Sequence, residues 1–199
     1  MRIDAVKIDL AQFGPCLQGR INGTRHYGAV CELLTDVNPG IIVLLDFTDI
    51  QYVTGSWLSA VLVELVRRAP DPERDFFPIL CNITDEGIEE VLIVAKLAQQ
   101  CYLIAQDEGM PPERARLIGF LEPGEEACLQ AIMERGGGTG AELAGEVEEQ
   151  IGATAWNNRL KEIYTKRLLC RQRQGRKQWY FPVVKEIVRN GRQLFQRPG

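Results

Sequence analysis

The sequence predicts a two-part fold: an α/β domain with a mixed sheet backed by helices, then a smaller unit of three helices and a hairpin. Three observations predict it. Apolar β-branched runs such as Ile41-Ile42-Val43-Leu44-Leu45 alternate with helical patterns up to about residue 110, as in layered α/β domains. Short helical patterns then fill residues 122–166, and a glycine-centred hairpin signal follows at 171–182. The charge reverses along with the architecture. Residues 1–150 hold eleven basic and twenty-five acidic side chains, a charge of −14. Residues 151–199 hold twelve basic side chains and two acids, Glu162 and Glu186, a charge of +10. A basic unit attracts polyanions, nucleic acid above all, and an acidic body repels them.

Composition excludes several classes of function. The chain has 199 residues, 45% of them hydrophobic, enough for one good core or two small ones. No apolar run reaches the ~20 residues of a membrane span. The opening MRIDAVKIDL lacks the uninterrupted apolar stretch of a secretion signal, so a cytoplasmic location is expected. Six scattered cysteines without a C-x-x-C, and a single histidine, His26, argue for buried reduced thiols rather than a metal site. No phosphate-loop, nucleophile-elbow or H-E-x-x-H motif occurs, so no catalytic residue, no enzyme activity and no cofactor is expected. The run Gly136 to Gly140 follows a helical pattern, lacks a phosphate-loop lysine and reads as a turn. The acid pairs Glu89-Glu90 and Glu125-Glu126 read as solvated helix faces.

Each element has its own signal. Ile3 to Leu10 alternates weakly, as an edge strand does; Gly19 to Gly23 reads as a turn and Arg25 to Val37 as a helix stopped by Asn38-Pro39-Gly40. Ile41 to Leu45, ending at Asp46, reads as a strand buried on both faces. Ser56 to Arg68 and Gly87 to Gln99 are helical, the second through Ile88, Val91, Leu92, Ala95 and Leu97; Phe77 to Ile83 and Cys101 to Ala105 are strands. Residues 111–121 are expected to connect the two parts. A helix opened by Pro123 runs to about Arg135, a second covers Glu142 to Val147, and a third runs from Ala153 to about Lys166 after a tight turn at Ile151-Gly152. Val183 to Leu194 carries Val184, Ile187, Val188 and Leu194 and reads as a final helix.

In the third helix Trp156, Leu160, Ile163 and Tyr164 form an apolar stripe. The opposite face shows Thr154, Asn157, Asn158 and Lys161, short polar groups suited to base edges: asparagine to adenine, lysine to guanine or phosphate. The alternative is a merely polar surface. In the hairpin, Arg171, Arg173, Arg176 and Lys177 surround Gly175 and would reach phosphates or a minor groove, with Trp179, Tyr180 and Phe181 as anchor. The order A-E-L-A, turn, T-A-W-N-N-R-L-K-E-I-Y, then R-L-L-C-R-Q-R-Q-G-R-K-Q-W-Y-F-P resembles the winged helix-turn-helix domains of bacterial transcription regulators. The resemblance covers about residues 122–182 and implies binding to double-stranded DNA through these eight polar residues.

Residues 42–65, I-V-L-L-D-F-T-D-I-Q-Y-V-T-G-S-W-L-S-A-V-L-V-E-L, resemble the centre of a STAS-like domain, the fold of anti-sigma factor antagonists. That resemblance covers about residues 1–110. It implies a mixed sheet with helices, a protein partner, and Ser56 as a candidate for phosphorylation at the start of a helix. Thr54, Gly55 and Trp57 depart from the family's residues there. Ser56 or Thr54 could equally serve as a helix N-cap.

The combined expectation is a DNA-binding transcription regulator: a STAS-like sensing or partner-binding domain (1–110), a connection (111–121) and a winged-helix domain with a C-terminal helix (122–199). A homodimer is expected, because one winged helix covers a short half-site; the acidic body supplies the contact or holds the final helix, Val183 to Leu194, against its copy. The alternative is a partner-switching protein–protein adaptor whose winged helix is a docking surface.

Overall fold

Successive side chains of residues 41–46 enter two different apolar layers, and that alternation organises the molecule. A computed structural model describes residues 3–71, 75–146, 151–189 and 192–196. In chain order the first half contributes strands β1 (Ala5–Asp9), β2 (Cys16–Leu17), β3 (Ile41–Asp46), β4 (Tyr52–Val53), β5 (Phe76–Cys81) and β6 (Cys101–Ala105). Its helices are α1 (Arg20–Leu33), α2 (Gly55–Leu58), α3 (Glu64–Arg68) and α4 (Asp85–Ala98), with a π turn (Ser59–Val63) joining α2 to α3. The second half adds β7 (Arg114–Gly119), helices α5 (Pro123–Arg135), α6 (Gly140–Glu146) and α7 (Ala153–Thr165), and strands β8 (Leu169–Gln174), β9 (Lys177–Pro182), β10 (Glu186–Arg189) and β11 (Arg192–Gln196).

The result is a mixed α/β fold around a seven-stranded sheet in the order β1-β3-β5-β6-β7-β10-β11. The first four strands are parallel, β7 is antiparallel to β6, β10 runs parallel to β7 and β11 antiparallel to β10. Val43, Leu45, Phe76, Leu80, Tyr102 and Ile104 face one core together with Val30, Trp57, Leu65 and Val91 from α1 to α4. Their neighbours Ile42, Leu44, Phe77, Ile79, Cys101 and Leu103 face the other, with Leu129 and Ile132 of α5, Trp156 and Leu160 of α7, and Tyr180 of β9. The sheet is therefore covered on both faces, as continuous apolar strands require.

Several sequence expectations need correction. The expected final helix at 183–194 is instead β10 and β11. Val184 and Ile187 are buried in the molecule's own core rather than left for a second copy. A short apolar run fits either period, and here the open edge of β7 decided: Ile187 pairs with Ala115, and Glu186 pairs with Arg114 through an ion pair of 3.0 Å. Residues 111–121, expected as a connection, contain β7. The expected turn at 19–23 is the first part of α1, where Gly23 packs against Ala60 and Trp57 so closely that an added Cβ would lie 2.8 Å from the Ala60 Cβ. On α4 the buried residues are Gly87, Val91, Val94 and Ala95, while Leu92 and Leu97 are exposed. Val147, the expected end of α6, lies outside the described residues, as do the side chains beyond Arg189.

Candidate nucleic-acid interface

Helix α5 starts where Pro123 predicts and is held by a reciprocal cap in which the Glu122 N–H donates to Glu125 Oε2 at 2.8 Å. It ends at Gly136, whose φ of 73° suits a helix C-terminus. The glycine run then bridges to the hairpin: the Gly138 N–H donates to the Tyr180 carbonyl at 2.8 Å, and the Tyr180 N–H to the Gly138 carbonyl at 2.9 Å. Thr139 and Glu142 cap α6, with the Thr139 N–H donating to Glu142 Oε2 at 2.8 Å. That hydrogen bond holds the Glu142 carboxyl below its ordinary range; burial opposes it, and the Thr139 hydroxyl, Arg135 and Lys177 assist.

Helix α7 is anchored by its apolar stripe. Trp156, Leu160, Ile163 and Tyr164 are all buried. Thr154, Asn157, Asn158 and Lys161 lie at positions i, i+3, i+4 and i+7 and are all exposed, so one face collects the four residues singled out by sequence. Gly140 crosses α7 at this face; a Cβ there would sit 2.4 Å from Asn157 Oδ1 and 2.8 Å from the Asn157 backbone nitrogen.

The hairpin brings together three of its four expected cations. Gln174 pairs with Lys177 across a two-residue loop whose Gly175 has φ 61°, and Arg173, Arg176 and Lys177 stand exposed around it. Arg173 Nε donates to the Gly175 carbonyl at 3.1 Å. Arg171 stands apart. It pairs with Tyr180 further down the ladder, and its guanidinium lies 4.1 Å from the centre of the Tyr164 ring.

Sequence reasoning missed the residues that lock α7 to the sheet. Arg167, just beyond the helix, is 2% exposed and has φ 63°, a left-handed backbone uncommon for such a residue. Its guanidinium makes an ion pair with Asp75 and lies 4.2 Å from the Phe77 ring centre and 4.5 Å from that of Tyr164. The Tyr164 hydroxyl donates to the same Asp75 oxygen at 2.8 Å. Among the described residues Arg167 Nε and Nη1 have no hydrogen-bond partner. Glu125, read by sequence as a solvated acid, is buried and paired with Lys166. Nothing in a run of basic residues marks which of them turns inward.

At the start of α2 the cap is Thr54, whose Oγ1 accepts from the Trp57 N–H at 3.4 Å. Ser56 is exposed, with its hydroxyl 3.1 Å from the Thr54 hydroxyl. Glu90, another of the acids read as solvated, accepts from the Gly55 N–H at 2.6 Å, so a carboxylate already occupies this helix end. Below it Trp57 Nε1 donates to Nδ1 of buried His26 at 3.0 Å, and Phe13 stacks on the imidazole at 4.6 Å.

At the end of β3, Asp46 accepts from Thr48 (3.0 Å from N, 2.8 Å from Oγ1) and Asn82 (2.7 Å) and pairs with Lys7 (2.9 Å). Burial opposes its charge, but the contacts with Asn82, Lys7 and Thr48 together hold the carboxyl far below its usual range. Among the described residues no group of His, Cys, Asp and Glu could hold a metal ion, and no helix is long and apolar enough to cross a membrane. In comparisons with known proteins, no family model, no curated protein and no solved structure matches this chain.

Proposed function

We propose that residues 122–182 form a winged helix-turn-helix that binds double-stranded DNA, and that the chain is a transcription regulator with a STAS-like N-terminal domain. The observation that carries this reading is α7: its apolar stripe is wholly buried, while Thr154, Asn157, Asn158 and Lys161 are exposed on one face, and the hairpin that follows is tipped by exposed Arg173, Arg176 and Lys177. The order helix, bridging strand residue, two helices and hairpin supports it further. Asn158 and Asn157 would read base edges, Lys161 and Thr154 would meet bases or phosphate, and the hairpin cations would meet phosphate. Arg171, stacked on Tyr164, would act at the base of the wing. Two copies on a pseudo-palindrome would form the working unit.

Fluorescence anisotropy on duplexes selected from random DNA tests the reading. Replacing Arg173, Arg176 and Lys177 by alanine should weaken binding to every sequence alike and flatten the salt slope. Asn158→Ala should cost roughly 1–3 kcal/mol on the selected site and much less on random DNA. Unchanged affinity at low salt in the triple variant would remove the hairpin from the contact surface. Light scattering should report about twice 22.4 kDa.

The adaptor reading has one observation of its own. Ile93 and Leu97, 55% and 81% exposed on α4, give the N-terminal domain an apolar surface suited to a protein partner. Ser56 belongs to that reading, as a phosphorylation switch whose added charge would share its turn with Glu90. An adaptor has no steep salt-dependent DNA affinity to lose.

A further inference from the structure

On the sheet face opposite α7, helices α1 and α3 border a cavity of about 690 Å³. Its size falls within the range of small-ligand sites. Leu34, Leu65, Pro70 and Phe76 give it an apolar wall, and Tyr27 and Arg68 stand beside them. The Tyr27 hydroxyl is buried, with the Cys31 thiol of the same lining as its neighbour. Arg68 lies 5.3 Å from the Tyr27 ring centre, whereas Arg67 is held by Glu64 at 2.6 Å. Asp71, also in the lining, has interactions of its own. A guanidinium over a tyrosine ring beside an apolar wall suits an ionised carboxylate on an apolar body.

We propose that this cavity binds a small amphipathic carboxylate, and that the ligand acts on α7 through the first residues of β5. Tyr27 and Arg68 would take the head group, and Leu34, Leu65 and Phe76 the apolar chain. Phe76 lines the cavity on one sheet face. Asp75, the preceding residue, receives the Tyr164 hydroxyl and the Arg167 guanidinium on the other. A ligand that moves Phe76 therefore moves the anchor of the DNA-facing helix. The effect on DNA rests on the proposed function; the binding site does not.

The full chain is titrated with hexanoate, octanoate and decanoate and with the matching alcohols, followed by calorimetry and thermal shift. Saturable binding should strengthen with chain length, fail for the alcohols and weaken about tenfold in Arg68→Gln and Tyr27→Phe, with circular dichroism unchanged. Decanoate should also shift DNA affinity several-fold, and Tyr164→Phe should reduce that shift while leaving decanoate binding intact. Equal binding of acids and alcohols, or full binding in both cavity variants, overturns the site. Decanoate binding without any change in DNA affinity overturns the link through Asp75. A chain that binds decanoate and no DNA defeats the proposed function and the link together, and leaves the site standing.

Discussion

Arg167 carries more structural consequence than any cation named from the sequence. Its charge is buried between two aromatic rings and answered by Asp75, so removing it strands an acid and empties the space between Phe77 and Tyr164. Breaking a buried pair in this way costs about 3–5 kcal/mol. Arg167→Met should lose that much in urea unfolding, and adding Asp75→Leu should recover part of it. A single-variant loss below about 1 kcal/mol would mean the pair contributes little. His26 yields a second expectation. Burial first, then the charge of Arg25, holds its pKa below the usual 6.5, and Trp57 donates to Nδ1, which must be unprotonated. The folded state thus binds fewer protons than the unfolded chain: this stability is fully present above about pH 6.5 and is lost as pH falls below it. Urea midpoints should decline from pH 7.5 to 5.5, and less so in His26→Gln. A decline of equal size in both proteins would clear His26. These roles were illegible in sequence, because burial of a single arginine or histidine depends on partners at residues 75 and 57, far along the chain.

At the level of elements, Gly140 sits where α6 meets α7. Glycine in a helix normally costs up to about 1 kcal/mol relative to alanine. Here the sign should reverse: a methyl group would meet Asn157 Oδ1 and the backbone of α7, and relieving such overpacking costs about 1–3 kcal/mol. Gly140→Ala should therefore lower the melting temperature and also disturb the face that carries Asn157 and Asn158. A stabilised variant would show that the two helices separate without cost. Some element starts and turns were legible, although the turn expected at 19–23 is helix. Pro123 opens α5, Gly175 closes the hairpin, and the aliphatic run at 41–45 is a strand flanked by two others. The exposed face of α7 was legible too, since an apolar stripe at helical spacing defines its own reverse side. Residues 183–194 were not, because four apolar residues suit either a helix or a strand until the open edge of β7 is known.

Across the whole molecule the two charge halves share one sheet. The acidic half provides β1, β3, β5, β6 and β7, and the basic half returns β10 and β11 to the same sheet after α7 and the hairpin have joined α5 in covering the far face. Residues 1–110 alone would leave Ile42, Leu44, Phe77, Ile79 and Leu103 in water, an apolar face too large for a soluble monomer. That fragment should aggregate on expression, and the full chain should unfold in one transition seen alike by circular dichroism and tryptophan fluorescence. A soluble fragment with native ellipticity, or two separate transitions, would restore independent halves. The return of β10 and β11 has a consequence for synthesis. Strand β10 pairs with β7, 72 positions earlier at Glu186 and Arg114, so the sheet stays open until nearly the whole described chain has left the ribosome. Until then, the nascent chain exposes one apolar sheet face and the bare backbone of β7, and chaperone dependence should concentrate in that interval.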